Sequence, residues 1–397
     1  MIAPRRRPVI LTLNRTYLPG YRGGGPIRTI ANMVEQLGDQ FDFRIITQDR
    51  DVGEAGSYPG IEAETWTPLG KGAVYYLSPA RISIPKLTSL IRSVKHDILY
   101  MNSFFDRVFT TRILAARGVG LIPPGPTILA PRGEFSAGAL RYKRLRKQAY
   151  VQAFRTLIPW KSIVWQASTP LEKEDVCRAL PGVRADHVRV ACDLAAAPPP
   201  ANESFVERED GPLRVLFLSR ITPMKNLVFV LEVLARVRVP VVLTIVGPRD
   251  DDYWRQCKPL VDSLPANLIV DVQGPVPPPE VTAVMRRHDL FFLPTQGENF
   301  GHVIHEALNA GLPVLISDRT PWSGVTEAGA GWALPLAAHE PFVEVINRYS
   351  ATPAAGRAAM RRSAVEFGHA GSVDSSAYND NVRLFMDMTA NHGRGGR

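Results

Sequence analysis

Short apolar runs rich in β-branched residues recur in two cycles along this chain, each alternating with longer helical patterns. The first cycle comprises Val9 to Leu13, Phe43 to Thr47, Ile98 to Met101, Thr127 to Ala130 and Ile163 to Ala167. The second comprises Val215 to Ser219, Val242 to Val246, Ile269 to Val272, Leu290 to Leu293 and Val314 to Ser317. Strands that alternate with helices build parallel sheets covered on both faces. The chain therefore reads as α/β, with two doubly wound, Rossmann-like domains.

Between the cycles stands Ala195 to Pro200, AAAPPP, followed by a polar stretch to Gly211. Consecutive prolines resist helix and sheet alike, as in a linker. The expected division is an N-terminal domain over 1–196, a linker over 197–212 and a second domain over 213–372. A C-terminal helix and polar tail over 373–397 are expected to pack back on the first domain. The length of 397 residues supports two cores better than one.

The three cysteines, Cys177, Cys192 and Cys257, show neither CxxC nor zinc-ligand spacing, so no disulfide framework and no metal site are expected. That pattern suits a reducing cytoplasm. The apolar stretch near the amino terminus is too short for a signal peptide's core, and no apolar run approaches the length needed to span a bilayer. Any membrane role would be peripheral.

The net charge of +9 is concentrated. From Arg132 to Arg155 there are seven Lys or Arg residues and one acid. Within and just beyond that stretch Tyr142, Leu145, Ala149, Ala153 and Leu157 recur at helical spacing, which predicts an amphipathic helix with these residues inward and a basic outer face. Three readings stay open: a merely solvated charged face, attraction to anionic lipid headgroups, or contact with nucleic acid. Nucleic acid is not the expected partner.

The most informative segment is Pro294 to Pro313, PTQGENFGHVIHEALNAGLP. Glu298 falls on a loop leaving a strand, where the first helical amides of Asn299, Phe300 and Gly301 point outward and can bind an anion. Glu306, eight residues on, lies inside the following helix, where a hydrogen-bonded ribose diol would satisfy it. This E-x7-E spacing, with NFG after the first Glu and EALNAGLPV after the second, resembles the motif of family 4 glycosyltransferases. The resemblance implies a GT-B fold, with two Rossmann-like domains facing across a cleft, and retaining transfer from a nucleoside-diphosphate sugar. It assigns Glu298 to the donor sugar's hydroxyls and Glu306 to the ribose.

Further segments agree. In FLSRITPMKNL, Arg220 and Lys225 follow a strand and precede a helix, where nucleotide-using α/β folds bind phosphate. The resemblance gives them the leaving diphosphate's charge, in place of a metal. Gly23, Gly24 and Gly25 before Pro26 suggest close backbone approach to a ligand; the family's glycine loop, here Gly24 and Gly25, meets the donor phosphates. Gln273 and Gly274 fit the family's turn against the nucleobase. APRGEFSAGA, Ala130 to Ala139, resembles stretches near the acceptor side, and Arg132 there either binds an anionic group or makes a structural salt bridge. Many relatives carry a His where this chain has Asn102-Ser103, which leaves open whether an enzymic general base exists. His96 is expected outside the site, and His302 and His305 are expected to be helix residues rather than metal ligands.

The expected partners are a nucleotide-sugar donor and a glycan or lipid-linked acceptor, with peripheral contact to an anionic membrane surface. No cofactor beyond the donor substrate is expected. The expected place of action is the cytoplasm, at the inner face of the plasma membrane. The rival readings are a GT-B-like nucleotide-sugar epimerase and a non-catalytic basic scaffold or nucleic-acid-binding protein.

Overall fold

The computed structural model describes residues 6–141, 144–196, 211–372 and 375–394. Tyr142, most of the 197–212 linker and the end of the polar tail lie outside the described residues. The chain divides into two compact units, Met1–Leu194 with Ser375–Arg397, and Ala195–Asp374.

The first unit holds an eight-stranded sheet in the order β3-β4-β2-β1-β5-β6-β7-β8. Its strands are β1 (Val9–Leu13), β2 (Asp42–Gln48), β3 (Trp66–Leu69), β4 (Gly72–Leu77), β5 (Ile98–Asn102), β6 (Thr127–Ala130), β7 (Val164–Ala167) and β8 (Val188–Val190). Only β3 runs antiparallel to its neighbour. Every residue of β1, β5 and β6 is buried, as a sheet covered on both faces demands. Alternate side chains feed two cores: Leu11, Leu13, Leu99 and Met101 on one face, Ile10, Phe43, Ile98 and Tyr100 on the other. The helix Ser375–Arg394 belongs to this unit, where Phe385 sits edge-on to Phe41, Phe43 and Tyr100.

The second unit holds a six-stranded parallel sheet in the order β11-β10-β9-β12-β13-β14. Its strands are β9 (Leu213–Leu218), β10 (Val241–Val246), β11 (Leu268–Gln273), β12 (Leu290–Leu293), β13 (Val314–Ser317) and β14 (Gly331–Leu334). Counted from the unit's first strand this is the 3-2-1-4-5-6 winding, whose order reverses between β9 and β12. The first unit repeats it in β4-β2-β1-β5-β6-β7, reversing between β1 and β5. Both units tie the reversal in the same way. Asp97, just before β5, exchanges backbone bonds with Val9, accepting its N–H on the carboxylate at 2.7 Å and donating to its carbonyl at 2.9 Å. Asp289, just before β12, does the same with Arg214 at 2.9 and 2.8 Å. Burial pushes the Asp289 carboxyl up, but its bonds to Arg214, with Arg361 nearby, hold it below the usual carboxylate range.

The basic segment corrects one expectation. It forms two helices, Ala137–Arg141 and Arg144–Leu157, and the second turns a different face inward. Leu145 and Leu157 are 80% and 75% exposed, and Ala149 and Ala153 are exposed as well. The inward face is Tyr150, Val151 and Phe154, packed on the cluster of Phe104, Phe135 and Trp165. Aromatic rings bury more area than alanines and leucines at the same helical spacing, so they win the core.

Candidate donor site

The turn after β9 and the loop after β12 meet where the second sheet's strand order reverses. Both are held by backbone. The Gln296 N–H donates to the Met224 carbonyl at 2.8 Å, and the Asn226 side-chain amide donates to the Pro294 carbonyl at 3.0 Å. Asn226 adopts φ 62°, ending a 3-10 turn over Pro223–Lys225 and opening the helix Leu227–Leu234. A left-handed residue there suits Asn, whose short polar side chain tolerates that region. This tie brings Lys225 onto Glu298, and the two form an ion pair whose side chains are only 14% and 10% exposed.

Arg220 lies on the same turn and is exposed. Its backbone path is fixed by Gly247, at φ 139°, because a Cβ there would stand 2.0 Å from the Ser219 carbonyl. Beyond Glu298 the helix His302–Asn309 begins at Gly301, φ 80°, without a side-chain cap. Its first amides, with those of Asn299 and Phe300, lie at the positive end of the helix dipole. Glu306 is one turn further in and half-buried. His305, 1% exposed, bonds through Nε2 to the Gly368 carbonyl at 3.0 Å, and burial pushes its imidazole down to about 4. His302 lies against the Phe300 ring. Gln273 and Gly274 end β11 on the exposed edge, with the Gln273 amide donating to Asp271 at 2.6 Å.

In the first unit Gly24, at φ 72°, caps the helix Gly25–Leu37, with Pro26 in its first turn. A Cβ on Gly23 would meet the Thr16 hydroxyl at 2.5 Å and the Ile27 side chain at 2.9 Å, so a larger residue there would have to displace those two side chains. The Asp51 carboxylate accepts the Tyr21 and Arg22 amides at 2.7 and 3.0 Å and fixes the loop.

The carboxyl ends of β5 and β6 carry a buried polar network that residue spacing did not reveal. Arg132, at φ 57°, pairs with Asp193, and its Nε donates to Asn102 Oδ1 at 3.0 Å. Arg132 thus takes the structural salt bridge of its two readings. Ser103, at φ 72°, donates its hydroxyl to Glu134 at 2.6 Å, and the Phe104 and Phe105 amides donate to the same carboxylate at 2.6 and 3.1 Å. Burial pushes Glu134 up to about 7 against these bonds. His96 bonds to the Val94 carbonyl at 2.8 Å, at the opposite end of β5 from Asn102.

Residues 201–366 match the family model described as glycosyl transferases group 1. That span covers most of the second unit. No curated protein matches the chain. Among solved structures, sucrose-phosphate synthase from Thermosynechococcus elongatus is similar with a TM-score of 0.69 at 14% identity, covering 97% of this chain and 100% of that one. The Anabaena protein Alr3699/HepE, solved in complex with UDP and glucose, gives 0.67 at 16% identity over 97% and 100%. WaaG, a glycosyltransferase involved in lipopolysaccharide biosynthesis, gives 0.63 at 16% identity over 93% and 98%. At these identities the likeness establishes the fold, which is GT-B.

Proposed function

We propose that this chain is a retaining glycosyltransferase that moves a hexose-type sugar from a UDP- or GDP-sugar to a hydroxyl of a glycan or lipid-linked acceptor in surface-polysaccharide assembly. The observation that carries the reading is the Lys225–Glu298 pair at the strand-order reversal of a domain matching the group 1 family. Ligands in open α/β sheets bind at such a reversal. A cation and a carboxylate held together there suit a diphosphate and a sugar hydroxyl arriving side by side.

In this reading Arg220 and Lys225 neutralise the diphosphate, without a metal, as charge develops on it. Glu306 holds the ribose diol, and Gln273 and Gly274 offer backbone groups to the base. Glu298 and the Asn299 to Gly301 amides orient the sugar. Gly25 offers a helix-opening amide of the first unit to phosphate, beside Gly24, whose own N–H is held by the Tyr21 carbonyl at 3.1 Å. The acceptor oxygen bonds to the anomeric carbon on the face the diphosphate leaves. The acceptor's proton passes to a diphosphate oxygen, so no enzymic base is required and Asn102-Ser103 is compatible with turnover.

The corrected helix face supports action at an anionic membrane surface. Exposed Leu145 and Leu157 share the Arg144–Leu157 helix with Arg144 and Arg146, a pairing of apolar and cationic groups that suits a lipid interface. Among the described residues, no helix is long and apolar enough to cross a membrane.

Two measurements test this. Incubation with UDP-glucose or GDP-mannose and lipid-extract acceptors should release the nucleotide and give a product with the donor's anomeric configuration by NMR; an inverted anomer overturns the retaining assignment. Co-sedimentation should occur with phosphatidylglycerol vesicles and not with phosphatidylcholine vesicles.

A further inference from the structure

The loop carrying Glu298 is strapped along its length to the segment that follows β13. The Ser317 hydroxyl donates to the Thr295 carbonyl at 2.6 Å, and Arg319 Nη1 donates to the Gln296 side chain at 3.2 Å. The Glu298 N–H donates to the Arg319 carbonyl at 3.0 Å. The last strap is a side chain: the Trp322 indole N–H donates to the Phe300 carbonyl at 2.5 Å. That bond closes the loop immediately before Gly301 opens the helix. Gly301 sits at φ 80°, a left-handed conformation that glycine adopts without strain and that turns the chain from the loop into the helix.

Trp322 is itself held on several sides. It is 7% exposed, stacked on His305 at 5.3 Å and 20°, and edge-on to Phe300 at 5.3 Å and to Phe367 at 6.2 Å. Behind it runs the end of the helix Ala354–Ser372, where a Cβ on Gly371 would stand 3.0 Å from two ring carbons. His305 bonds that same helix end, to the Gly368 carbonyl and to the Ser372 hydroxyl at 2.8 Å. The chain passes to the other unit just beyond, after Asp374.

We infer that Trp322 is a positioning residue that sets how tightly the site holds the transferable sugar: its indole fixes the Phe300 carbonyl, and with it the Glu298 carboxylate and the Asn299 to Gly301 amides, while Gly371 leaves the ring its place. This rests on the reading of Glu298 as the sugar-binding carboxylate. A hydrogen bond with its partner fixed by packing pre-organises a site at no cost when the ligand arrives. The bare nucleotide is held by other groups, its diphosphate at Arg220 and Lys225, its ribose at Glu306 and its base at the end of β11, so the consequence is selective. Loss of the indole N–H should weaken binding of the sugar nucleotide and spare binding of the bare nucleotide.

The test is calorimetric titration of the full chain with UDP and UDP-glucose, and with GDP and GDP-mannose, in wild type and Trp322→Phe. An aromatic ring stays in the variant, while the five-membered ring goes with its donor N–H. The expected result is a Kd for the sugar nucleotide raised about fivefold, with that for the matching nucleotide changed by less than about twofold. Equal shifts in both, or none in either, overturn the inference while leaving the donor-site reading intact. Wild type that binds neither pair overturns the reading itself and the inference with it. Should Trp322→Phe not fold, Gly371→Ala keeps the indole and presses on it, and the same selective loss is expected; unchanged sugar-nucleotide affinity there also overturns the inference.

Discussion

Lys225, on the turn after β9, and Glu298, on the loop after β12, are ion-paired where the second sheet's strand order reverses. Each side chain is the other's partner and, in the proposed reaction, each has a ligand group to meet: the diphosphate for Lys225 and a sugar hydroxyl for Glu298. The pair therefore links folding to function at one point.

Lys225→Ala is expected to remove most turnover. It also leaves Glu298 largely buried without its cation, which should cost about 1–3 kcal/mol of stability. The double variant Lys225→Met with Glu298→Gln should recover most of that stability and none of the turnover. Urea unfolding curves and nucleotide-release assays separate the two effects, and turnover regained by the double variant contradicts the assignment.

His305 gives stability a pH dependence. Its imidazole stands at about 4 in the folded chain against an ordinary value of 6.5, so between those values the unfolded chain binds a proton that the folded chain refuses. Its contribution is fully present above pH 6.5 and declines as pH falls toward 4, a change of about 3 kcal/mol over the window. His305→Gln should flatten the unfolding free energy between pH 7.5 and 5 relative to wild type. Parallel pH profiles for the two proteins would rule this out.

Gly247→Ala places a methyl 2.0 Å from the Ser219 carbonyl on a backbone at φ 139°. The expected loss is about 2–4 kcal/mol, seen as a lowered thermal midpoint, because neither the backbone nor the carbonyl can yield without moving Arg220's turn. A variant as stable as wild type would show that the turn is not fixed by this contact.

The inward face of the Arg144–Leu157 helix predicts contrasting substitutions. Phe154→Ala should cost about 3–5 kcal/mol by opening a cavity beside Phe104 and Trp165. Leu145→Ser and Leu157→Ser, on exposed positions, should stay within about 0.5 kcal/mol of wild type. Denaturation midpoints for the three variants decide which face is buried.

The two α/β cycles were legible because strands buried on both faces are nearly continuous in apolar residues: β12 is wholly apolar, and β1, β6 and β13 each carry a single Thr or Ser. The hairpin of β3 and β4 was not read, since β3 (WTPL) is short, carries a proline and pairs only at the sheet's edge. β8 escaped because it is three residues long and mostly exposed, and β14 (GWAL) because it opens on a glycine, has no β-branched residue and is only half-buried at the sheet's edge. The basic helix shows a different limit: Leu145, Ala149, Ala153 and Leu157 share a face by spacing as well as Tyr150 and Phe154 do. Only the aromatic cluster around Phe104, distant in sequence, chooses between them. At the candidate site, Glu298 and Lys225 stood out by position after strands. Trp322 did not, because its partner is a backbone carbonyl that no residue pattern marks. The Arg132, Asp193 and Asn102 network was likewise hidden, joining residues that only the folded sheet brings together.

The most direct test is calorimetric titration of UDP, GDP, ADP and TDP into wild type and Glu306→Ala, with EDTA present. The account predicts that one nucleoside diphosphate binds wild type without metal and that Glu306→Ala, folded by circular dichroism, loses at least about tenfold in affinity for it. No binding by wild type, or full affinity in Glu306→Ala, would contradict a donor site built on the second unit's strand-order reversal.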